Sequence, residues 1–333
     1  MTKADCNTPK VFSCFNSASP NVVLPKLCSE LFAQQLSAWQ QMAAGYASLE
    51  SVRTREIICG GFTVKVQFNP KRIVSTGADV NPAVISKRKC FLCLENLPEA
   101  QQGILYCDDY LILCNPVPIF SRHFTISNMR HTPQDFESSV DAMLDLARDL
   151  SPDYAVFYNG PECGASAPDH LHFQASPRLA IPVERDAVNV QKRKRFYYKN
   201  HVAGFTLMNY GRVVMIIEST DKNQLLAFIH TMFAEWKNRL RLTEEPMANI
   251  LCSYQENIWR LIIFPRHKHR PDIYFKKDSD RVLISPAAVD MGGLIVTPLE
   301  KDSLNVDAKL IEDIFAEVSE KQEVIDTILE KMI

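Results

Sequence analysis

The sequence predicts an α+β fold: antiparallel sheets with helices packed on them, arranged as two similar halves. Three observations predict it. Apolar residues come in short alternating runs separated by turn residues, the pattern of hairpins rather than of a doubly wound sheet. The order strand-strand-helix-strand-strand occurs twice along the chain. Finally, 333 residues that are 46% hydrophobic can bury two such layers around a core.

The elements follow in order. Leu24, Leu27, Leu31, Phe32, Leu36 and Trp39 recur every three to four residues, which predicts an amphipathic helix over 23–50. Residues 62–68 alternate as a half-buried strand does, and Asn69-Pro70 ends it. A polar, basic stretch at 79–89 leads to Cys90-Phe91-Leu92-Cys93. Strands are predicted at Gly103–Cys107, Tyr110–Cys114 and His123–Ser127, then a helix from Asp135 to Leu150 with Phe136, Val140, Met143, Leu144 and Ala147 on one face. Tyr154–Tyr158 and Leu171–Ala175 read as strands flanking a loop, Asn159–Asp169, that holds two glycines and two prolines. The basic stretch 191–200 reads as a linker. Beyond it, strands are predicted at Val213–Glu218, Asn249–Ser253, Trp259–Phe264 and Leu294–Thr297, with helices at Leu225–Leu240 and Leu310–Ile333. The halves are therefore set at 1–190, with the N-terminal helix, and 200–333.

Bulk properties bound the function. A formal charge of −2 gives no broad basic face, so nucleic acid is not an expected partner. Residues 1–20 lack the continuous apolar run of a signal peptide or anchor, and nowhere is there a span long enough to cross a bilayer. A soluble, cytoplasmic protein without membrane contact is the expectation. The ten cysteines are scattered, and in a reducing compartment most act as small buried hydrophobes. Cys90 and Cys93 differ, because they form a C-x-x-C pair.

The chemistry concentrates at His170-Leu171-His172-Phe173-Gln174. The two histidines of the H-x-H are read as serving opposite sides of the strand, so that one can enter a pocket while the other serves something behind it. Imidazole is a good nucleophile toward phosphorus at neutral pH. The preceding loop, Asn159 to Ser166, is small and contains glycine, and its N–H groups can converge on phosphate oxygens. An H-x-H by itself also fits core histidines or metal ligands.

Together, Val156-Phe157-Tyr158-Asn159, Gly164-Ala165-Ser166 and His170-x-His172-x-Gln174 resemble the active-site signature of the galactose-1-phosphate uridylyltransferase branch of the histidine-triad superfamily. That branch includes the diadenosine tetraphosphate phosphorylases and the GDP-hexose phosphorylases. The resemblance covers most of the chain but is specific only around 90–175. It implies two histidine-triad-like halves and a transferase in which His172 attacks an α-phosphorus to form a covalent nucleotidyl-histidine. Asn159, Gly164, Ala165 and Ser166 would then hold the substrate. That substrate would be a nucleoside diphosphate sugar or a dinucleoside polyphosphate, and phosphate or a sugar phosphate would take up the nucleotide. Gln174 stands where the hydrolase branch has a third histidine. An amide can donate to a phosphoryl oxygen but cannot exchange protons, which favours transfer over hydrolysis. The alternatives are a hydrolase or phosphoramidase of the same superfamily, or a catalytically silent nucleotide-binding protein. Relatives often dimerise, so a homodimer is a further expectation.

A C-x-x-C turn suits two thiolates on one metal, and two more ligands are then needed. In the uridylyltransferases a histidine before the central helix and the first histidine of the H-x-H complete a structural zinc site. By that resemblance, Cys90, Cys93, His131 and His170 would bind Zn2+. His123 competes for the histidine position, although Phe124 and Ile126 suggest a core strand there. Two ordinary buried thiols are the alternative. The GDP-hexose phosphorylases lack this pair.

In the second half, Ile284–Gly293 resembles a stretch of the GDP-hexose phosphorylases, or is a loop entering a strand. Trp259 is followed by no histidine, so the second metal site of the uridylyltransferases is not expected, and their hexose-binding glutamine has no counterpart near Gly293–Pro298. The basic run Arg266-His267-Lys268-His269-Arg270 faces either polyphosphate or solvent, and Lys71, Arg72, Lys87, Arg88 and Arg122 are further phosphate candidates.

Overall fold

A computed structural model describes residues 5–18, 22–77, 82–85 and 87–332. Parts of three expectations lie outside the described residues: positions 1–4, 19 and 20 of the N-terminal stretch, 79–81 and 86 of the polar stretch, and Ile333 of the last helix.

Among the described residues, fourteen strands run in chain order: β1 Val11–Phe15, β2 Arg53–Ile58, β3 Thr63–Phe68, β4 Gly103–Tyr106, β5 Tyr110–Cys114, β6 Phe124–Asn128, β7 Tyr154–Asn159, β8 His172–Pro177, β9 Arg193–Lys199, β10 Val202–Leu207, β11 Met215–Ser219, β12 Ala248–Gln255, β13 Ile258–Pro265 and β14 Leu294–Thr297. Eleven form one sheet in the order β1-β4-β5-β6-β8-β7-β12-β13-β11-β10-β9, and β14-β3-β2 form a second, smaller sheet. Pairing is antiparallel except for β1 with β4 and β14 with β3. The fold is therefore α+β, as expected. The two runs of strands meet edge to edge at β7 and β12, where Asn159 lies opposite Asn249 and Phe157 opposite Leu251.

Strand alternation divides the interior into two layers. Val156, Tyr158, Phe173, Ile250 and Cys252 enter a core shared with the helices Leu24–Ala38, Val140–Asp149, Lys222–Leu240 and Gln322–Glu330. Phe157, Leu251, Ile262 and Phe264 point the other way, into a core shared with the small sheet and the helix Ala308–Val318. In antiparallel pairs, directly opposed residues share a face, so Gln174, opposite Phe157, lies on this second side, and so does His172 two residues before it.

Three expectations change. The stretch 191–200 is not a linker: Arg193–Lys199 is β9, the outermost strand, paired with β10. Its charges stay partly solvated because an edge strand has open neighbours, while the Phe196 ring fills the space above Gly204. The helix expected over 23–50 breaks at Trp39, whose backbone is extended, into Leu24–Ala38 and Gln40–Ala47. The last helix divides at Ser319, which bridges to Arg266 in the strand direction. Cys6 and Cys14 form a disulfide near the N-terminus, a pair the spacing did not suggest. Among the described residues, no helix is long and apolar enough to cross a membrane.

Candidate active site and metal cluster

The C-x-x-C turn brings Cys90 and Cys93 against two histidines. One ligand atom from each of Cys90, Cys93, His131 and His170 lies within 4.8 Å of the others. Sγ of Cys90 is 3.2 Å from Nδ1 of His170, and Sγ of Cys93 is 3.2 Å from Nδ1 of His131 and 3.6 Å from Nδ1 of His170. Sulfur and nitrogen ligands around one tetrahedral ion stand roughly 3.5 Å apart, so the spacing fits a small divalent metal. The ring orientations fit as well. Nε2 of His170 lies 2.7 Å from the Asn128 carbonyl; donating that N–H leaves the Nδ1 lone pair toward the thiols. Nε2 of His131 faces the Asp169 carboxylate at 3.6 Å, and Asp169 also pairs with Arg88. His123 lies elsewhere: it stacks on Phe157 and takes no part in the cluster.

Beside this cluster, on the face of β8 that carries His172 and Gln174, opens a cavity of about 540 Å3 that Arg88, Phe91 and Leu92 also line. The two histidines are therefore not split across the sheet as expected: residues two apart share a strand face, and the His170 ring, just before β8, lies 3.1 Å from the hydroxyl of Ser127, the residue paired with His172. Its walls include His172, Gln174, Asn159 and the Gly164–Ser166 loop, which brings together all the substrate-side residues singled out from sequence. Gly164 has φ +89°, and a Cβ there would meet Ala287 at 2.6 Å, so only glycine lets the loop seat against the second half.

The His172 ring is fixed from behind. Its Nδ1 lies 2.8 Å from the His170 carbonyl and donates to it, which leaves Nε2 as the lone-pair nitrogen. Burial pushes this imidazole down to about 4, so it stands neutral at pH 7, the form with a free electron pair. The backbone is held by a residue that sequence reasoning missed. Asn159 and His172 lie just beyond the Phe157–Gln174 pair, where the β7–β8 ladder ends. There the Gln134 side chain stands between them, accepting from His172 N–H at 2.8 Å and donating to the carbonyls of Asn159 (2.9 Å) and His172 (3.2 Å).

Both site carboxamides are also oriented. The Oδ1 of Asn159 accepts the Ala288 N–H at 2.8 Å and Nδ2 of Asn249 at 2.9 Å, and Oε1 of Gln174 lies 2.9 Å from Nε2 of His123. Asn249 is in turn held by Arg266, a fully buried arginine whose Nη1 reaches its Oδ1 at 2.5 Å.

The basic candidates separate clearly. Arg72 and Arg88 line the cavity, as do His269 and Arg270 from the second half. Arg122 lies over the Phe32 ring and bonds Ser29, on the helix-covered side of the sheet. Lys71 and Lys87 are exposed outside the cavity wall. Lys268 is held by Asp272 and Glu317. Of the stretch Ile284–Gly293, Ser285, Ala287, Val289 and Asp290 line the cavity, and burial pushes the Asp290 carboxyl up to about 6. On β13 the same face of the sheet carries Ile262 and Phe264, both buried.

The model of a domain of unknown function, DUF4922, matches residues 31–177. No curated protein matches the sequence. Among solved structures, the chain is similar to yeast Ap4A phosphorylase Apa2. Against its complex with AMP the identity is 17%, covering 86% of this chain and 96% of that one, with a TM-score of 0.53. Against the structure without a named ligand the values are 13%, 84%, 96% and 0.56, and against the complex with Ap4A they are 16%, 85%, 97% and 0.51. The chain has the fold of that phosphorylase, one of the enzyme types to which its sequence motif pointed.

Proposed function

We propose that this chain is a nucleotidyl-transferring enzyme acting through a covalent nucleotidyl-histidine on His172. The observation that carries the reading is the His172 ring: neutral, clamped at Nδ1 by a carbonyl, and lining a cavity that three arginines also line. The Nε2 electron pair attacks the α-phosphorus, a P–N bond forms, and the bond to the bridging oxygen breaks with its electron pair leaving on the departing phosphate group. An oxygen of inorganic phosphate or a sugar phosphate then attacks the same phosphorus, and the P–N pair returns to the ring. Asn159, Gln174 and the backbone of Gly164, Ala165 and Ser166 stabilise the charge that develops on the non-bridging oxygens.

The donor is a dinucleoside polyphosphate or a nucleoside diphosphate sugar. Three arginines, Arg72, Arg88 and Arg270, line the cavity together with the Asp290 carboxyl and suit a chain of phosphates. The similar yeast fold is that of a protein solved with Ap4A and with AMP. Zinc is the proposed occupant of Cys90, Cys93, His131 and His170, where it would crosslink the turn, the 129–135 loop and the start of β8 without touching substrate. The two halves, 1–190 and 200–333, are read as copies of one unit. In this reading only the first retains the reactive pair, since β13 carries Ile262 and Phe264 on the face where β8 carries His172 and Gln174.

The test is intact mass after mixing the protein with diadenosine tetraphosphate and, separately, with a panel of nucleotide sugars. A nucleotide adduct that His172→Ala abolishes, and that added phosphate discharges, is the expected result. No adduct across the panel would sink the reading, and fast release of nucleoside monophosphate into water without acceptor would replace it with hydrolysis.

A further inference from the structure

The Gln174 carboxamide lines the cavity, and its chemistry depends on which end faces inward: the –NH2 attracts a phosphoryl oxygen and the carbonyl repels it. The two ends look alike in shape, so the answer must come from the partners. Those partners form a chain that ends on an atom that cannot turn. The backbone N–H of Ile119 points to Nδ1 of His123 at 3.3 Å. An N–H can only donate, so Nδ1 carries the lone pair and the ring proton sits on Nε2. That Nε2 lies 2.9 Å from Oε1 of Gln174, and a donor there requires the amide oxygen opposite it. The –NH2 is then left for the cavity.

We propose that His123 is a positioning residue: as a fixed Nε2–H donor it turns the Gln174 amide nitrogen toward the reacting phosphate. This rests on the nucleotidyl-transfer reading for its consequence, though not for its geometry.

The surroundings of His123 fit that role. The side chain is 0% exposed, wedged between Phe120 edge-on at 5.5 Å and Phe157 stacked at 6.1 Å, and it is not among the residues lining the cavity. Burial, assisted by the nearby Arg72 charge, holds the imidazole down at about 3, so a second ring proton that would displace the Ile119 N–H is strongly disfavoured at neutral pH. Its backbone is pinned too: the His123 N–H donates to the Tyr46 hydroxyl at 3.2 Å, and the same hydroxyl reaches the His123 carbonyl at 3.1 Å. A buried imidazole needs both nitrogens matched, and what they are matched to decides what the ring can do. Here both are, one to a backbone group and one to a cavity side chain.

Asn159 repeats the logic with different parts. Its Oδ1 accepts the Ala288 N–H, again a backbone donor that cannot flip, so its amide nitrogen also lies away from that contact. Two neutral carboxamides are thereby fixed with their oxygens bound to protein.

Two measurements test the proposal. The first needs no substrate: long-range 1H–15N spectra of the histidine rings in the intact protein, with His123→Leu to assign the signal. The Nε2–H tautomer is expected at pH 7, and an Nδ1–H or doubly protonated ring overturns the proposal. The second is the single-turnover rate of adduct formation with diadenosine tetraphosphate. Gln174→Ala should slow it about 100- to 1000-fold, the usual loss for one donor to a developing oxyanion. His123→Leu should slow it on the order of tenfold or more, and the double variant no further than Gln174→Ala alone, because one residue acts through the other. His123→Gln, which can present an N–H from a similar place, should recover part of the rate. Additive losses, or a His123→Leu rate equal to wild type, overturn the positioning role. If the wild-type protein forms no adduct at all, the functional reading fails, while the tautomer still decides the geometric claim.

Discussion

Nδ1 of His172 lies 2.8 Å from the carbonyl oxygen of His170, so the main chain of a residue in the Cys/His cluster orients the ring of the proposed nucleophile. The His170 ring lies against the hydroxyl of Ser127, the residue that pairs with His172, and the backbone between the two histidines makes them one mechanical unit. Removing the ring while sparing the strand should therefore abolish chemistry and little else. His172→Ala is expected to lower transfer by at least about 10³-fold, the scale seen when a covalent nucleophile is lost. Circular dichroism and thermal melting should still report a cooperative fold. Turnover near wild type would remove His172 from the mechanism.

The cluster of Cys90, Cys93, His131 and His170 should hold close to one zinc per chain by elemental analysis. Cys93→Ala removes one of four ligands, and a structural zinc site contributes directly to folding. The melting temperature should fall by roughly 5–10 °C, and adduct formation on His172 should slow because the His170 carbonyl is no longer held. A folded, fully reactive protein with far less than one zinc would count against the site.

The part of this arrangement legible in the sequence was the part written in local spacing. C-x-x-C and H-x-H-x-Q are short enough for the strand period and turn geometry to bring their groups together. His131 added only through resemblance, and all four cluster residues do converge. Strands β5 and β7 were legible as short apolar runs, since burial on both faces selects apolar residues throughout. What stayed hidden depends on tertiary partners. Arg193–Lys199 is too charged to look like a strand, but an edge strand tolerates charge where a central one does not. Gln134 reads as one more polar residue before a helix; its role appears only where β7 and β8 part and leave backbone groups to be satisfied. Arg266 sat in a run that looked like a basic surface loop, and it is fully buried.

Glu245 gives a pH dependence with a definite sign. Its Oε1 accepts the Tyr158 hydroxyl at 2.7 Å and its Oε2 the Phe136 N–H at 2.6 Å. Burial outweighs both bonds and pushes the carboxyl from 4.5 up to about 7. A folded-state value above the unfolded one means that the fold binds this proton more tightly. The stability it contributes is thus fully present below pH 4.5 and is lost as pH rises toward 7. Glu245→Gln cannot titrate, so its stability relative to wild type should rise between pH 5 and pH 8, by on the order of 1–2 kcal/mol. Urea unfolding of both proteins at the two pH values measures it. A difference that stays flat or falls would show that the carboxyl is ionised throughout.

Arg266 ties together β12, residues 268 and 269, Pro286 and the end of the helix Ala308–Val318. Its guanidinium donates to Oδ1 of Asn249 at 2.5 Å and to the carbonyls of Pro286 (2.9 Å), Lys268 (2.9 Å), His269 (3.0 Å) and Val318 (3.1 Å). These acceptors are all neutral, so the charge is stabilised by five dipoles rather than by a carboxylate, and only the planar fork of arginine reaches them together. Through Asn249 the same group fixes Asn159, and through 268–269 and 286 it sets two walls of the cavity. Arg266→Met matches the length and apolar stem but leaves five acceptors without their donor. It should cost about 3–5 kcal/mol in chemical denaturation, in the range for breaking a buried charged network. Arg266→Lys keeps the charge but has three donors, so it should recover only part of that stability, and its KM for the nucleotide donor should stay raised because Asn159 is no longer held. If Arg266→Met unfolds within about 1 kcal/mol of wild type, the acceptors find water instead, and the cavity walls owe their positions to packing alone.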